Sequence, residues 1–165
     1  MPLNREEQLL GQIYPPFGDL IHSFLFNARA QGYPVGIFEG LRTFEKQAEY
    51  YAKGRDTEGN IINPSQVITY AKPGSSYHQY GLAVDIVFDT DGTKKGFQWG
   101  WNEKMDWRGL AEIGQNFGLE AGYFWIKKDP PHFQKTYGFI TSQLKSIYTG
   151  GGLEAVYREI RNGIC

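Results

Sequence analysis

The segment Leu82-Ala-Val-Asp-Ile-Val-Phe88 sets the terms on which this chain can fold. It is short, apolar and rich in β-branched residues, the pattern of a strand buried in a sheet. Asp85 sits in the middle of it. Desolvating a lone carboxylate is costly, so a strand that carries one through a core must bring it a cation or several donors. The flanking sequence offers such partners. His78 stands seven residues earlier in Ser76-Tyr-His-Gln-Tyr-Gly-Leu-Ala-Val-Asp85, and His132 follows in Asp129-Pro-Pro-His132. Two imidazoles and one carboxylate make a three-ligand zinc set, with a fourth position open to water or substrate. A structural zinc site closes with four protein ligands, often thiolates. The single cysteine is the terminal Cys165, so a thiolate-rich site is excluded and the set reads as a catalytic one.

The spacings make demands of their own. On an uninterrupted strand an odd separation puts His78 and Asp85 on opposite faces. Gly81 lies between them, and its access to positive φ permits a bulge that swings His78 round to the Asp85 face. A helix would also align residues seven apart, but Gly81 with Val84, Ile86 and Val87 argues against one. In Asp129-Pro-Pro-His132 the proline pair favours polyproline II, whose three residues per turn point both side chains the same way. That places a second carboxylate beside the metal without making it a ligand, a position suited to a general base that then serves as acid. A surface turn is the alternative reading of the tetrapeptide. Glu120 is the rival base, but twelve residues from His132 fix no geometry.

Arg42 follows one strand and opens a helix, where its guanidinium can bind a carboxylate or an oxyanion; a surface salt bridge accounts for it equally well. Ser76 can hydrogen-bond a substrate or a ligand, or simply belong to its turn. The third histidine, His22, has no partner at metal spacing and reads as packing or surface. Ser142-Gln-Leu-Lys145 fits a serine-nucleophile pattern, S-x-x-K, but lacks the accompanying S-D-N and K-T-G and reads as coincidence.

Along the chain, residues 19–31 form an amphipathic helix with Leu20, Ile21, Phe24 and Ala28 on one stripe, Pro15-Pro16 before it and Gly32 as its stop. Val35–Glu39 is a short strand. A helix runs from Thr43, its cap, to Lys53 and ends at Gly54. Residues 54–66 are a polar loop, 67–71 a strand, and 72–76 a turn. Asp89 to Gly92 reads as a tight turn that lacks the further ligands of a calcium loop. A helix over 105–117 buries Leu110, Ile113 and Phe117. Tyr123-Phe-Trp125 starts the last strand region, which runs into His132-Phe133. Two C-terminal helices, 141–149 and 153–162, are separated by Gly150-Gly-Gly152.

This order predicts an α+β fold, a small antiparallel sheet flanked by helices. At 165 residues the chain suits one domain spanning 1–165, because too little follows the triple glycine for a second. A net charge of −1 without a basic cluster argues against nucleic acid as a partner. The opening MPLNREEQLL is not a secretory signal, no run approaches the length of a membrane span, and one cysteine excludes an internal disulfide. Synthesis in the cytoplasm, as a monomer, is expected. The 11 Tyr, 11 Phe and 4 Trp suit ordinary packing, with an aromatic-lined cleft as the alternative.

The run from Ser76 to Asp85 matches S-x-H-x-x-G-x-A-x-D throughout. With the later Pro131-His-Phe-Gln134 and the earlier Gly40-Leu-Arg-Thr-Phe-Glu-Lys-Gln47, the chain resembles the zinc D-Ala-D-Ala carboxypeptidase and L-alanyl-D-glutamate endopeptidase family. That family cleaves peptidoglycan and includes endolysins and cell-wall hydrolases. The matching segments span about residues 35–135 in the family's order. The resemblance implies the Hedgehog/DD-peptidase fold and Zn2+ held by His78, Asp85 and His132. It implies Asp129 and Arg42 in catalysis, and Arg42, Ser76 and Trp125 as contacts to a peptidoglycan stem peptide. Many members carry glutamate three residues before the last histidine; the aspartate here is tolerated in the endopeptidase-like branch. Pro-His-Phe-Gln and the stretch from Gly40 to Arg55 look like that branch too, which favours the L-Ala–D-Glu bond. A D-Ala-D-Ala carboxypeptidase and an inactive, zinc-stabilised binding module are the alternatives. The site of action implied is the cell wall, with no separate wall-binding domain.

Overall fold

Strand β2 (Ala83–Asp89) is the apolar segment carrying Asp85, and six of its seven residues are buried. The computed structural model describes residues 3–89, 97–98 and 104–163. A strand this apolar needs cover on both sides, and the sheet supplies neighbours at both edges. β1 (Val35–Glu39) pairs with it on one edge, and β5 (His132–Gln134) on the other, followed by β4 (Glu120–Ala121) in the order β1-β2-β5-β4. The short β3 (Phe97–Gln98) pairs with the end of β2. Every pairing is antiparallel. The expected α+β class with a small antiparallel sheet is what the chain forms.

Two compact units make up the chain, Met1–Leu41 with Gly81–Lys135 and Arg42–Tyr80 with Thr136–Cys165. The sheet belongs wholly to the first. There α1 (Arg5–Leu10) is capped by Asn4 in a reciprocal box with Glu7. α2 (Pro15–Ala30) starts four residues before the sequence suggested, because Pro15 and Pro16 occupy the first turn, where the missing N–H groups cost nothing. It buries Phe17, Ile21, Phe24, Leu25 and Ala28; Leu20, expected on that stripe, is only half-buried. Phe24 meets Phe133 of β5 at 5.0 Å between ring centres. α4 (Trp107–Asn116), capped by Asp106, turns Leu110, Ala111 and Ile113 inward, and its Trp107 stands edge-on to Phe88 at 4.9 Å. Each large apolar side chain fully removed from water contributes about 1.5–3 kcal/mol, so this face of the sheet carries much of the unit's stability.

The second unit is built on helices. α3 (Phe44–Ala52) begins after Thr43, whose hydroxyl accepts the Lys46 N–H. α5 (Thr141–Gly163) is interrupted at Gly151 and Gly152, where the backbone leaves helical geometry, so the two predicted helices are present with a glycine kink between them. Leu144, Val156 and Ile160 are buried, and Phe44, Tyr80 and Tyr148 cluster, the closest pair being Phe44 and Tyr148 at 4.8 Å.

Three expectations fail. Residues 67–71 form no strand: the Thr69 hydroxyl accepts the Ala71 N–H, and the Ala71 carbonyl accepts from the Gln47 side chain. Side chains satisfy this backbone, so it needs no ladder. Tyr123-Phe-Trp125 does not start a strand, because Gly122–Phe124 is a 3₁₀ turn. Its place in the sheet falls to Glu120–Ala121. Asp129-Pro-Pro-His132 is a hydrogen-bonded turn, with the His132 N–H donating to the Asp129 carbonyl at 3.0 Å, whereas polyproline II has no internal bonds. The expected 89–92 turn and Cys165 lie outside the described residues beyond Asp89.

Candidate metal centre

Asp85 and His132 face each other directly across the β2–β5 ladder. Directly opposed residues share a face of the sheet, so pairing alone brings the two side chains together. His132 Nδ1 lies 3.5 Å from Asp85 Oδ1, and both groups are buried. Ile86 N–H donates to the Pro131 carbonyl at 2.8 Å, which seats the Pro-Pro turn against β2.

His78 arrives by a different route from the one its spacing suggested. It sits in a 3₁₀ turn, Tyr77–Tyr80, and not on a bulged strand. Gly81 then takes φ +67 and redirects the chain into β2. The positive φ expected of Gly81 is present, and only the element before it differs. His78 is almost wholly buried. His78, Asp85 and His132 each present a ligand atom, and these lie within 4.8 Å of one another, the one such cluster of three or more found among the described residues.

The donor set fits zinc. Tetrahedral ligands at ordinary zinc bond lengths stand about 3.4 Å from one another, so the Asp85–His132 pair is already near that spacing. Three ligands leave one position for a water or a substrate oxygen. The local field favours a cation as well. Burial works against a charged His132, yet the hydrogen bond and charge of Asp85, followed by the charge of Asp129, hold its proton affinity above the ordinary histidine range. What attracts a proton there attracts a metal ion.

Asp129 is half-buried, and its charge reaches His132. Its N–H donates to the Gly122 carbonyl at 2.9 Å, closing the neck of a loop that spans residues 122–129. The loop closes only because position 122 is glycine: a β-carbon there would lie 2.3 Å from the Asp129 carbonyl oxygen. On that loop Trp125 stands 5.0 Å from the His132 ring, 37% exposed, next to exposed Phe124 and Ile126. Glu120, the rival base, instead accepts at 2.9 Å from the Gln134 amide, whose oxygen lies 2.8 Å from His132 Nε2.

In the second unit one buried amide network holds Arg42, Ser76 and the turn that carries His78. Arg42 Nη1 donates to Gln47 Oε1 at 2.9 Å, and its guanidinium lies 4.9 Å from the centre of the Tyr50 ring. Gln79 Nε2 donates to the same Gln47 oxygen, and Gln79 Oε1 accepts the N–H groups of Gly74 and Ser76. The Arg42 N–H donates to the His78 carbonyl at 3.0 Å, and Ser76 Oγ accepts the His78 N–H at 3.3 Å. Arg42 is thus buried in an amide network, and Ser76 caps the histidine's turn. Gln47, Gln79 and Gln134 were not foreseen. Two left a signal: Gln47 occupies the inward position three residues after Phe44, and Gln134 shares the His132 face at spacing two. His22 lies exposed on α2.

The family model for VanY, D-alanyl-D-alanine carboxypeptidase, matches residues 14–140. The peptidoglycan L-alanyl-D-glutamate endopeptidase CwlK of Bacillus subtilis (strain 168) is 39% identical over 112 residues, 65% of this chain and 64% of that protein. The chain spans less than two thirds of the curated relatives it matches, 64% of that one and 56% of a second. Among solved structures, the L-Ala D-Glu endopeptidase ChiX of Serratia marcescens is similar with a TM-score of 0.52 at 26% identity, covering 81% of this chain and 87% of that one. A vancomycin-resistance D,D-pentapeptidase VanY, solved in complex with Zn(II), is similar with a TM-score of 0.50 at 27% identity, covering 91% and 79%. The matched stretch takes in the whole β1-β2-β5-β4 sheet and all three clustered ligands, and this chain belongs to the VanY, D-alanyl-D-alanine carboxypeptidase, family.

Proposed function

We propose that this protein is a zinc peptidase that hydrolyses peptide bonds in the stem peptides of peptidoglycan, with the L-Ala–D-Glu bond as its target. The buried cluster of His78, Asp85 and His132, in a chain of this family, carries the reading. The similarity to CwlK and ChiX, both L-Ala–D-Glu endopeptidases, supports the choice of bond. Zinc held by the three residues supplies Lewis acidity, polarising the scissile carbonyl and acidifying a water to a pKa of about 7.

The rest is the work of this chain's own groups. Asp129, whose charge reaches His132, takes the proton from the attacking water and returns it to the leaving amine. Arg42, held in place by Gln47, offers its guanidinium to a substrate carboxylate or to the developing oxyanion. Ser76 shapes the turn beneath His78, and Trp125 forms a wall for the stem peptide beside His132. We take the enzyme to act as a monomer on the cell wall. No helix among the described residues is long and apolar enough to cross a membrane.

Digestion of defined muropeptides, with the products weighed by mass spectrometry, tests this. The expected result is new amino groups without new reducing sugars, and a cut between L-Ala and D-Glu. Loss of only the terminal D-Ala would assign the carboxypeptidase activity that the family's description carries. New reducing ends would refute the peptidase reading. Binding without turnover in the presence of zinc would leave an inactive binding module.

A further inference from the structure

We propose that Gln134, oriented by Glu120, is a positioning residue that decides which nitrogen of His132 faces the metal. His132 and Gln134 are both buried and lie two apart on β5, so their side chains share a face. His132 Nε2 is 2.8 Å from Gln134 Oε1. An amide oxygen only accepts, so Nε2 must carry the ring proton. In the neutral ring, the form that binds a metal, the lone pair then resides on Nδ1, the nitrogen that lies 3.5 Å from Asp85 Oδ1.

A glutamine by itself does not enforce this, because its amide can turn over and present N–H in place of oxygen. Glu120 removes that freedom. Glu120 and Gln134 are paired across the β4–β5 ladder, and Gln134 Nε2 donates to Glu120 Oε2 at 2.9 Å. An ionised carboxylate is acceptor-only and holds only the NH2 end of the amide. From the exposed Glu120 inward, the chain of carboxylate, amide and imidazole therefore has one direction. Partners behind a ligating histidine fix its tautomer and orientation, and losing one weakens metal binding about 10–100-fold.

The proposal rests on the zinc reading for its affinity test and is independent of it for its tautomer test. In metal-free protein, nitrogen-15 NMR of the imidazoles should show a proton on His132 Nε2, in the imidazolium whose Nδ1–H faces Asp85 as well as in the neutral ring. Q134L removes the acceptor, and E120L lets the amide turn; both should shift His132 toward the Nδ1–H form. By competition with a chelator, Q134L should bind zinc about 10–100-fold more weakly. Q134E should also weaken binding, because its new carboxylate faces Glu120. The double variant Q134E/E120Q should recover most of the loss, since the amide introduced at 120 donates to the carboxylate introduced at 134, which still accepts from His132. That isosteric pair keeps the test alive should Q134L fail to fold. A wild-type His132 with no proton on Nε2 would overturn the proposal, as would wild-type zinc affinity in Q134L or a double variant no better than Q134E. Should the wild type take up no zinc, the metal reading falls and the tautomer measurement still decides this one.

Discussion

Replacing Gly122 by alanine measures how closely Asp129 must be held. A β-carbon at 122 would lie 2.3 Å from the Asp129 carbonyl oxygen, 3.1 Å from its β-carbon and 3.2 Å from its carbonyl carbon. The φ of Gly122 is not positive, so alanine is locally tolerated and the effect is steric. Real β-carbons do not approach below 3.0 Å, so the oxygen must retreat by at least about 0.7 Å. It is backbone and cannot rotate away. The same residue is tied back through its own N–H, which donates to the Gly122 carbonyl, so the neck of the loop opens as a whole. Overpacking of this kind costs about 1–3 kcal/mol, and for a chain of this size that lowers Tm by about 2–12 °C. The larger consequence is chemical. A misplacement of about 1 Å can cost about 10²-fold in rate. Turnover of an L-Ala–D-Glu muropeptide, followed by release of amino groups, should fall about 10–100-fold. Zinc affinity should fall less, because His132 is also held by the ladder to β2. Gly150→Ala is the control: nothing lies within 4 Å of its β-carbon, and its activity should match the wild type. A folded Gly122→Ala enzyme with turnover within about twofold of wild type would show that the neck does not position the base.

Other outcomes follow from the same geometry. Asp129→Asn should cut turnover by about 10²–10⁴-fold while zinc analysis still finds about one ion per chain; loss of zinc would make Asp129 a ligand. Asp85→Asn should lose the metal itself, and a chelator should abolish wild-type activity until zinc is restored; activity that survives metal removal would end the zinc reading. Asp106 caps α4, and its hydrogen bonds from Tyr33 and then from the Gly109 N–H hold its carboxyl below the usual range. Asp106→Ala should therefore cost about 1 kcal/mol. With a depressed folded pKa, that stabilisation is full above the unfolded value of about 4 and is lost as pH falls through the lower folded value. Thermal unfolding against pH should show wild type and variant converging in acid, and a gap that widens there would contradict the assignment.

Several elements were legible before any tertiary information. Val35–Glu39 and the β2 segment carry strand signals, and Thr43 before Phe44 is a helix cap that works within one turn. These are local effects, of capping, periodicity and φ restriction, and a window of sequence contains them. Residues 67–71 and 123–125 carry similar signals and form no strands, because a strand exists only where a partner edge lies beside it. At 67–71 the backbone is satisfied by Thr69 and Gln47. The two-residue β4 shows the converse, a strand created by its partner β5.

The candidate site divides in the same way. By itself the sequence determined that Asp85 would be a carboxylate in a buried strand, that two histidines stood within reach as partners, and that Gly81 would turn the chain with positive φ. All of these follow from residue type and short spacing. Only the tertiary structure decided that β5 lies against β2 in the register that sets His132 opposite Asp85. It alone decided that His78 comes from a 3₁₀ turn, and that Glu120 stands behind Gln134. Register and hydrogen-bond partners between distant segments depend on which apolar faces bury one another, a property of the whole packed chain that no local stretch encodes.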